Sequence, residues 1–129
     1  MKTCFEKGVK REELFITTKI WKDDYHDVES AVKASLEKLQ LEYLDLYLIH
    51  WMVTEIDWDN FIIKGPTMLD TWKQMEKIYE VGLSKNIGVS NCPAMMYLDL
   101  LAGAKVRPAV NQIEVNPYFQ QTELIEFIK

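Results

Sequence analysis

The sequence predicts an α/β fold in which a parallel sheet is packed against helices. Short β-branched apolar runs alternate with amphipathic stretches along the 129 residues, and no hairpin signal joins one run to the next. Parallel strands cannot be joined by a tight turn, so an intervening helix is the connection such strands require. Each strand-like run also closes on polar or ionisable side chains, which points to a working edge of the sheet.

The elements follow in order. ELFITTK (13–19) is a short strand candidate, and a polar KDDYHD comes after it. From Asp27 a helical spacing begins, with Val28, Ala31, Val32, Leu36 and Leu39 at intervals of three and four. LDLYLIH (44–50) is the second strand, and a loop runs from it to about residue 65. The next helix carries Met68, Trp72, Met75 and Tyr79 on one stripe and stops at Gly82. KNIGVSN (85–91) is the third strand. Pro93 suits the first turn of a helix with Met96, Tyr97, Leu100 and Leu101, which ends near Gly103. PAVNQIEV (108–115) is the fourth strand, and Thr122 is the expected cap of a last helix, LIEFIK.

Two arrangements fit this series: an open doubly wound sheet, or part of a β/α barrel. No G-x-G-x-x-G follows the first strand, which weakens the dinucleotide-binding version of the open sheet. A closed barrel needs eight strands and about 250 residues. Four strands make half of one, so the sequence reads as incomplete.

Composition narrows the class. Apolar residues are 48% of the chain, enough to bury a core. The net charge is −5 with no basic block, which argues against nucleic acid as a partner. No apolar run approaches the ~20 residues that span a bilayer, and MKTCFEKGVKREELF lacks the apolar centre of a signal peptide. Cys4 and Cys92 match no metal spacing and read as reduced thiols. The expectation is a cytoplasmic protein with no membrane or metal association.

In barrels and open α/β sheets alike, ligands meet the carboxyl ends of the strands. Lys19, His50, Ser90-Asn91 and Asn111-Gln112 stand there. Each has an ordinary structural reading. A strand-end lysine reaches for water, a histidine packs with its hydrogen bonds met, and Ser-Asn before Cys-Pro makes a turn. Their convergence on one rim gives the chemical reading. A cationic lysine and a neutral imidazole beside a carbonyl stabilise charge developing on its oxygen. A hydroxyl with two carboxamides suits a primary amide such as that of nicotinamide. Trp21 and Trp51 each stand just past a rim residue, as pocket walls or as packing residues.

FITTKIW, LDLYLIHW, TWKQMEKIYEVGLSKNIGVSN and PAVNQIEVNPY together resemble the aldo-keto reductases, from about residue 8 to the end. The resemblance implies a (β/α)8 TIM barrel, of which residues 1–129 form a partial domain of about four β/α units. It implies reduction of small aldehydes and ketones with NADPH (NADP+). By motif, Lys19 matches the catalytic lysine and His50 the histidine that orients the carbonyl. Ser90, Asn91 and Gln112 match the residues that hold the nicotinamide carboxamide, and Trp21 and Trp51 the substrate-pocket lining. The family's catalytic aspartate and proton-donating tyrosine precede that lysine, whereas the first tyrosine here is Tyr25. The family's nicotinamide-stacking tyrosine and phosphate-gripping loop fall past Lys129, and Met1 aligns within a family helix. Met52 and Cys92 stand where the family often has proline and phenylalanine.

Two functional expectations result: an incomplete reductase chain, inactive alone, or a non-catalytic interaction or scaffold subunit of a larger assembly. Either way, a half-barrel leaves two strand edges and an inward face uncovered. The isolated chain is therefore expected to be marginal or to depend on a completing partner or chain segment. Size-exclusion chromatography and circular dichroism check this; a compact monomer with a cooperative melt is the contrary result.

Overall fold

The computed structural model describes residues 2–129, with side chains from Thr3 onward. The expectation for Met1 lies outside the described residues. Helix α1 (Lys2–Glu6) leads through a 3-10 turn (Arg11–Glu13) into strand β1 (Thr17–Ile20). A second 3-10 turn (Lys22–Asp24), helix α2 (Val28–Leu39) and strand β2 (Leu46–Ile49) follow. Two short strands, β3 (Ile56–Asp57) and β4 (Ile62–Ile63), precede helix α3 (Met68–Glu80) and strand β5 (Ile87–Ser90). Helix α4 (Ala94–Gly103), strand β6 (Asn111–Gln112) and helix α5 (Thr122–Ile128) complete the chain.

The main sheet has the order β1-β2-β5-β6, all parallel. Strand order follows chain order, without the reversal that defines a doubly wound sheet. The alternation of side chains along each strand then sorts the residues into two faces. Ile20, Ile49 and Val89 occupy one face and join Val28, Val32 and Leu36 of α2, Trp72, Met75 and Ile78 of α3, and Tyr97 and Leu100 of α4 in a single buried cluster. Lys19, Leu48 and Gly88 lie side by side on the other face.

Local signals explain three helix boundaries. The Asp27 carboxylate accepts from the Ser30 N–H and caps α2, while Thr67 does the same for α3 with Asp70. α3 stops where Gly82 adopts φ +78°; the Gly82 N–H donates to the Tyr79 carbonyl and the Leu83 N–H to that of Ile78. Gly88 meets a different need. A Cβ there would lie 2.6 Å from the Val110 carbonyl oxygen and 2.8 Å from Leu48 Cδ2, so only glycine lets β6 approach this closely.

α3 is also the main strut. The buried Glu76 carboxylate accepts from the backbone N–H groups of Lys105 (2.6 Å) and Val106 (2.9 Å), and Trp72 Nε1 donates to the Val106 carbonyl at 3.0 Å. On the same helix, Gln74 donates to the Tyr25 carbonyl (3.1 Å) and accepts from the Val28 N–H (3.2 Å).

Several expectations are corrected. The loop before residue 65 contains the antiparallel pair β3-β4, anchored by an Asp57 carboxylate that collects the N–H groups of Asp59 and Asn60 and pairs with Lys64 at 2.9 Å. Tyr79 faces outward, and Ile78 takes its place in the core stripe. Pro93 is the residue before the first turn of α4. α5 is preceded by Gln121 in a left-handed conformation, with no side-chain cap; Thr122 is its first residue. The first strand begins at Thr17, four residues later than its apolar run, and the fourth narrows to Asn111–Gln112.

The amino-terminal pole of the sheet is closed by charge. Arg11 pairs with Asp45 at 2.7 Å, donates to the carbonyls of Leu14 and Tyr43, and packs 4.0 Å above the Tyr43 ring. Asp45 also accepts from the Ile16 N–H at 2.8 Å, which joins β1 to β2. Burial pushes the Asp45 carboxyl up, but the Ile16 N–H and the Arg11 guanidinium outweigh it, and the net displacement is downward. A lowered folded-state value contributes stability above the ordinary carboxylate value of ~3.9 and loses it as pH falls through the folded value. Asp45→Asn is expected to cost about 1–3 kcal/mol at pH 7 and to flatten the acid side of the stability curve. Urea unfolding of both proteins at pH 7 and pH 3 measures this; equal losses on acidification are the contrary result.

Candidate functional site

The parallel register brings the expected residues to one rim. β1, β2, β5 and β6 end at Ile20, Ile49, Ser90 and Gln112, and all four carboxyl ends lie along the same edge. Lys19 pairs in register with Leu48, and Ser90 with Gln112. His50 lies two residues past Leu48 and shares its face. Lys19, His50, Ser90 and Gln112 therefore project from the face opposite the helices, where ionisable groups need not enter the apolar core.

Lys19 is half-buried and forms no ion pair among the described residues. His50 is half-buried as well. Burial holds its imidazole below the ordinary histidine value, and the Lys19 ammonium lowers it further. His50 is thus neutral at pH 7 and can donate a hydrogen bond from one ring nitrogen. Trp21 and Trp51 flank it. The Trp21 ring meets the imidazole edge-on at 4.9 Å, and the Trp51 ring is stacked at 6.1 Å and 14°. Both indoles are 44% exposed, whereas Trp72 is fully buried in the core.

Across the sheet, Asn91 takes a left-handed conformation (φ 54°), which turns the chain out of β5. Its Nδ2 donates to the His50 carbonyl at 3.0 Å and to Ser90 Oγ at 3.2 Å. The Ser90 hydroxyl is turned inward and donates to the Gln112 carbonyl at 2.8 Å. The Gln112 side chain is exposed and, among the described residues, makes no hydrogen bond; Asn91 Oδ1 is equally uncommitted. Asn111 lies on the helix-facing side. Its carboxamide bonds both the N–H (3.2 Å) and the C=O (2.8 Å) of Cys92 and so fixes the turn that holds Asn91. Burial raises the Cys92 thiol to about 12, which makes it an inert packing group.

A groove of about 1050 Å³ opens beside this rim, between the loop after β6 and the first turn of α4. Trp51, Asn91, Pro93, Tyr118, Phe119 and Phe127 line it, but Lys19 and His50 do not. The groove therefore adjoins the lysine-histidine pair without including it. Among the described residues no group of three His, Cys, Asp or Glu side chains could hold a metal ion, and no helix is long and apolar enough to cross a membrane.

Sequence reasoning missed Tyr25. It is fully buried; its hydroxyl donates to the Trp51 carbonyl at 2.7 Å and accepts from the Trp51 N–H at 3.1 Å. Its one signal was to be the lone aromatic within the polar run KDDYHD. The Asn111 role was equally hidden, because a strand asparagine that ties a turn looks the same as one that meets a ligand.

The two causes acting on His50 can be separated. Lys19→Met is expected to move the His50 titration midpoint part of the way up toward 6.5, because burial, the larger cause, remains. Proton NMR of the imidazole resonances reads the shift; an unmoved midpoint is the contrary result.

The sequence model of the family described as "Aldo/keto reductase family" matches residues 1–129. An NAD(P)H-dependent D-xylose reductase from Candida tenuis is 42% identical over 98% of this chain and 45% of its own length. Aldo-keto reductase family 1 member A1 from Gallus gallus is 47% identical over 92% of this chain and 40% of its own. Among solved structures, a Bombyx mori aldo-keto reductase in complex with NADP has a TM-score of 0.89 at 40% identity, covering 98% of this chain and 41% of its own. The aldose reductase from Schistosoma japonicum has a TM-score of 0.88 at 34% identity, covering 98% and 46%. The chain spans less than half the length of these relatives. Its four parallel strands in chain order are a partial (β/α)8 barrel, and the alternative of a doubly wound sheet is set aside. The chain belongs to the aldo/keto reductase family.

Proposed function

We propose that residues 1–129 act as one partial barrel domain that supplies the carbonyl-handling and nicotinamide-holding rim of an NADPH-dependent reductase of small aldehydes and ketones, in a cytoplasmic setting. The observation that carries this reading is the convergence of Lys19, His50, Ser90, Asn91 and Gln112 at the carboxyl ends of four adjacent parallel strands. Support also comes from relatives named for NAD(P)H-dependent reduction of D-xylose and from a family structure holding NADP.

The chain's own groups account for orientation and charge. A neutral His50 donates a hydrogen bond to the substrate carbonyl oxygen, which polarises it. The Lys19 ammonium, without a carboxylate partner among the described residues, stabilises negative charge as it develops on that oxygen. Gln112 and Asn91 Oδ1 offer the donors and acceptor that a primary carboxamide needs, with Ser90 beneath them. When bound, the nicotinamide supplies the hydride. Trp21 and Trp51 exclude water beside the imidazole and strengthen both electrostatic effects. The tyrosine that delivers the proton in the family has no counterpart by motif in residues 1–129. Proton delivery in the full reaction is therefore assigned to a group outside the ones described.

A second reading is a non-catalytic interaction subunit. The apolar residues Trp58, Phe61, Ile62 and Ile63, exposed on the β3-β4 hairpin and its turn, favour it. The two readings separate in the full natural protein. NADPH is expected to raise its melting temperature and to be oxidised with a simple aromatic aldehyde. Lys19→Met and His50→Ala are expected to lower kcat/KM by about 10²- to 10⁴-fold. Unchanged rates in both variants overturn the role assignments, and a protein indifferent to NADPH is the subunit instead.

A further inference from the structure

Strand pairing in β2 ends at Ile49, yet no backbone group of the next two residues is left free. The His50 N–H donates to the Ile20 carbonyl at 3.2 Å, and the His50 carbonyl accepts from Asn91 Nδ2 at 3.0 Å. Both backbone polar groups of Trp51 are met by a single side-chain group, the Tyr25 hydroxyl. Tyr25 is fully buried, and its own carbonyl is held by Gln74 of α3. The side chain is thus a brace between the helix layer and the point where the sheet gives way to the rim.

We propose that Tyr25 is a positioning residue for His50 and Trp51: its hydroxyl clamps the Trp51 backbone and so fixes the imidazole and the indole over the rim. The inference rests on the reading of His50 and Trp51 as site residues. The clamp has the required geometry. One hydroxyl has one hydrogen to give and lone pairs to receive, and here it gives to a carbonyl and receives from an amide of the same residue. Burial pushes the Tyr25 hydroxyl above its ordinary value, against the opposing effect of the backbone bonds to Trp51 and His50, so the proton needed for donation stays in place. A phenylalanine would fill the same space and lose both bonds, leaving the Trp51 N–H and C=O to find water or move. The stacked contact between His50 and Trp51 depends on the backbone angle between them, so a released Trp51 peptide carries both rings with it.

The experiment is an NMR comparison of the full natural protein with its Tyr25→Phe variant. The expected result is displacement of the His50 imidazole and Trp51 indole resonances, with the His50 titration midpoint rising toward the ordinary imidazole value as the ring gains solvent. The Trp72 indole, bonded to the Val106 carbonyl, stays where it was and reports an intact core. A lowered melting temperature with unmoved His50 and Trp51 resonances assigns Tyr25 a purely structural role and overturns the proposal. If Tyr25→Phe does not fold, Gln74→Met tests the same brace from behind, since it removes the bonds to the Tyr25 carbonyl and the Val28 N–H. Moved His50 and Trp51 resonances then support the clamp, and unmoved ones overturn it. An NADPH titration of the full natural protein is read separately. Its failure would remove the reductase reading and leave the resonance comparison intact.

Discussion

Because β1 pairs in register with β2, and β2 with β5, every side chain on these strands has its face assigned before any side-chain contact forms. Ile20, Ile49 and Val89 must enter the helix-covered core if Lys19, Leu48 and Gly88 are to leave it. A slip of one residue in β1 would exchange Lys19 for Ile20 and drive an ammonium group into the apolar layer. The rim therefore inherits its geometry from the core. Burial of the isoleucines and valines holds the register, and the register delivers the lysine, the histidine and the serine to one side.

The two faces of the sheet consequently obey different electrostatics. On the helix side, buried polar atoms are closed off by close partners, as with Glu76 against the Lys105 and Val106 amides. On the rim side, Lys19 and His50 sit near each other without a carboxylate between them, and the imidazole yields by becoming harder to protonate. A carboxylate at this point would favour the protonated imidazole instead. The partly buried pair of Arg11 and Asp45 is kept at the opposite pole.

Much of this was legible in the amino-acid sequence. The alternation of β-branched runs with 3-4 spaced apolar residues located every strand of the main sheet and α2 to α5, since both periods follow from burying one face. The strand ends at Lys19, His50, Ser90 and Gln112 were visible for the same reason. Other features depend on partners distant in the chain and left no local trace. The Tyr25 hydroxyl is bonded 26 residues away, and Gln74 reaches back to the Tyr25 carbonyl. The β3-β4 hairpin was hidden because its strands are only two residues long, too short for alternation to register. Tyr79 was misassigned to the core because a three-four spacing fits both it and Ile78, and only packing decides between them. The Gln121 entry to α5 has no side-chain cap at all, so the sequence pointed to the neighbouring threonine.

Helix α3 holds both the approach to β6 and the turn behind Trp51. Trp72 and Glu76 grip Val106 and Lys105, on the segment that leads to β6, while Gln74 grips Tyr25, behind Trp51. A tilt of that one helix would thus be felt at Gln112 and at His50 together. The entry to β6 and the turn behind Trp51 thereby share one mechanical support, and an amide-exchange experiment is expected to find them opening as one cooperative unit.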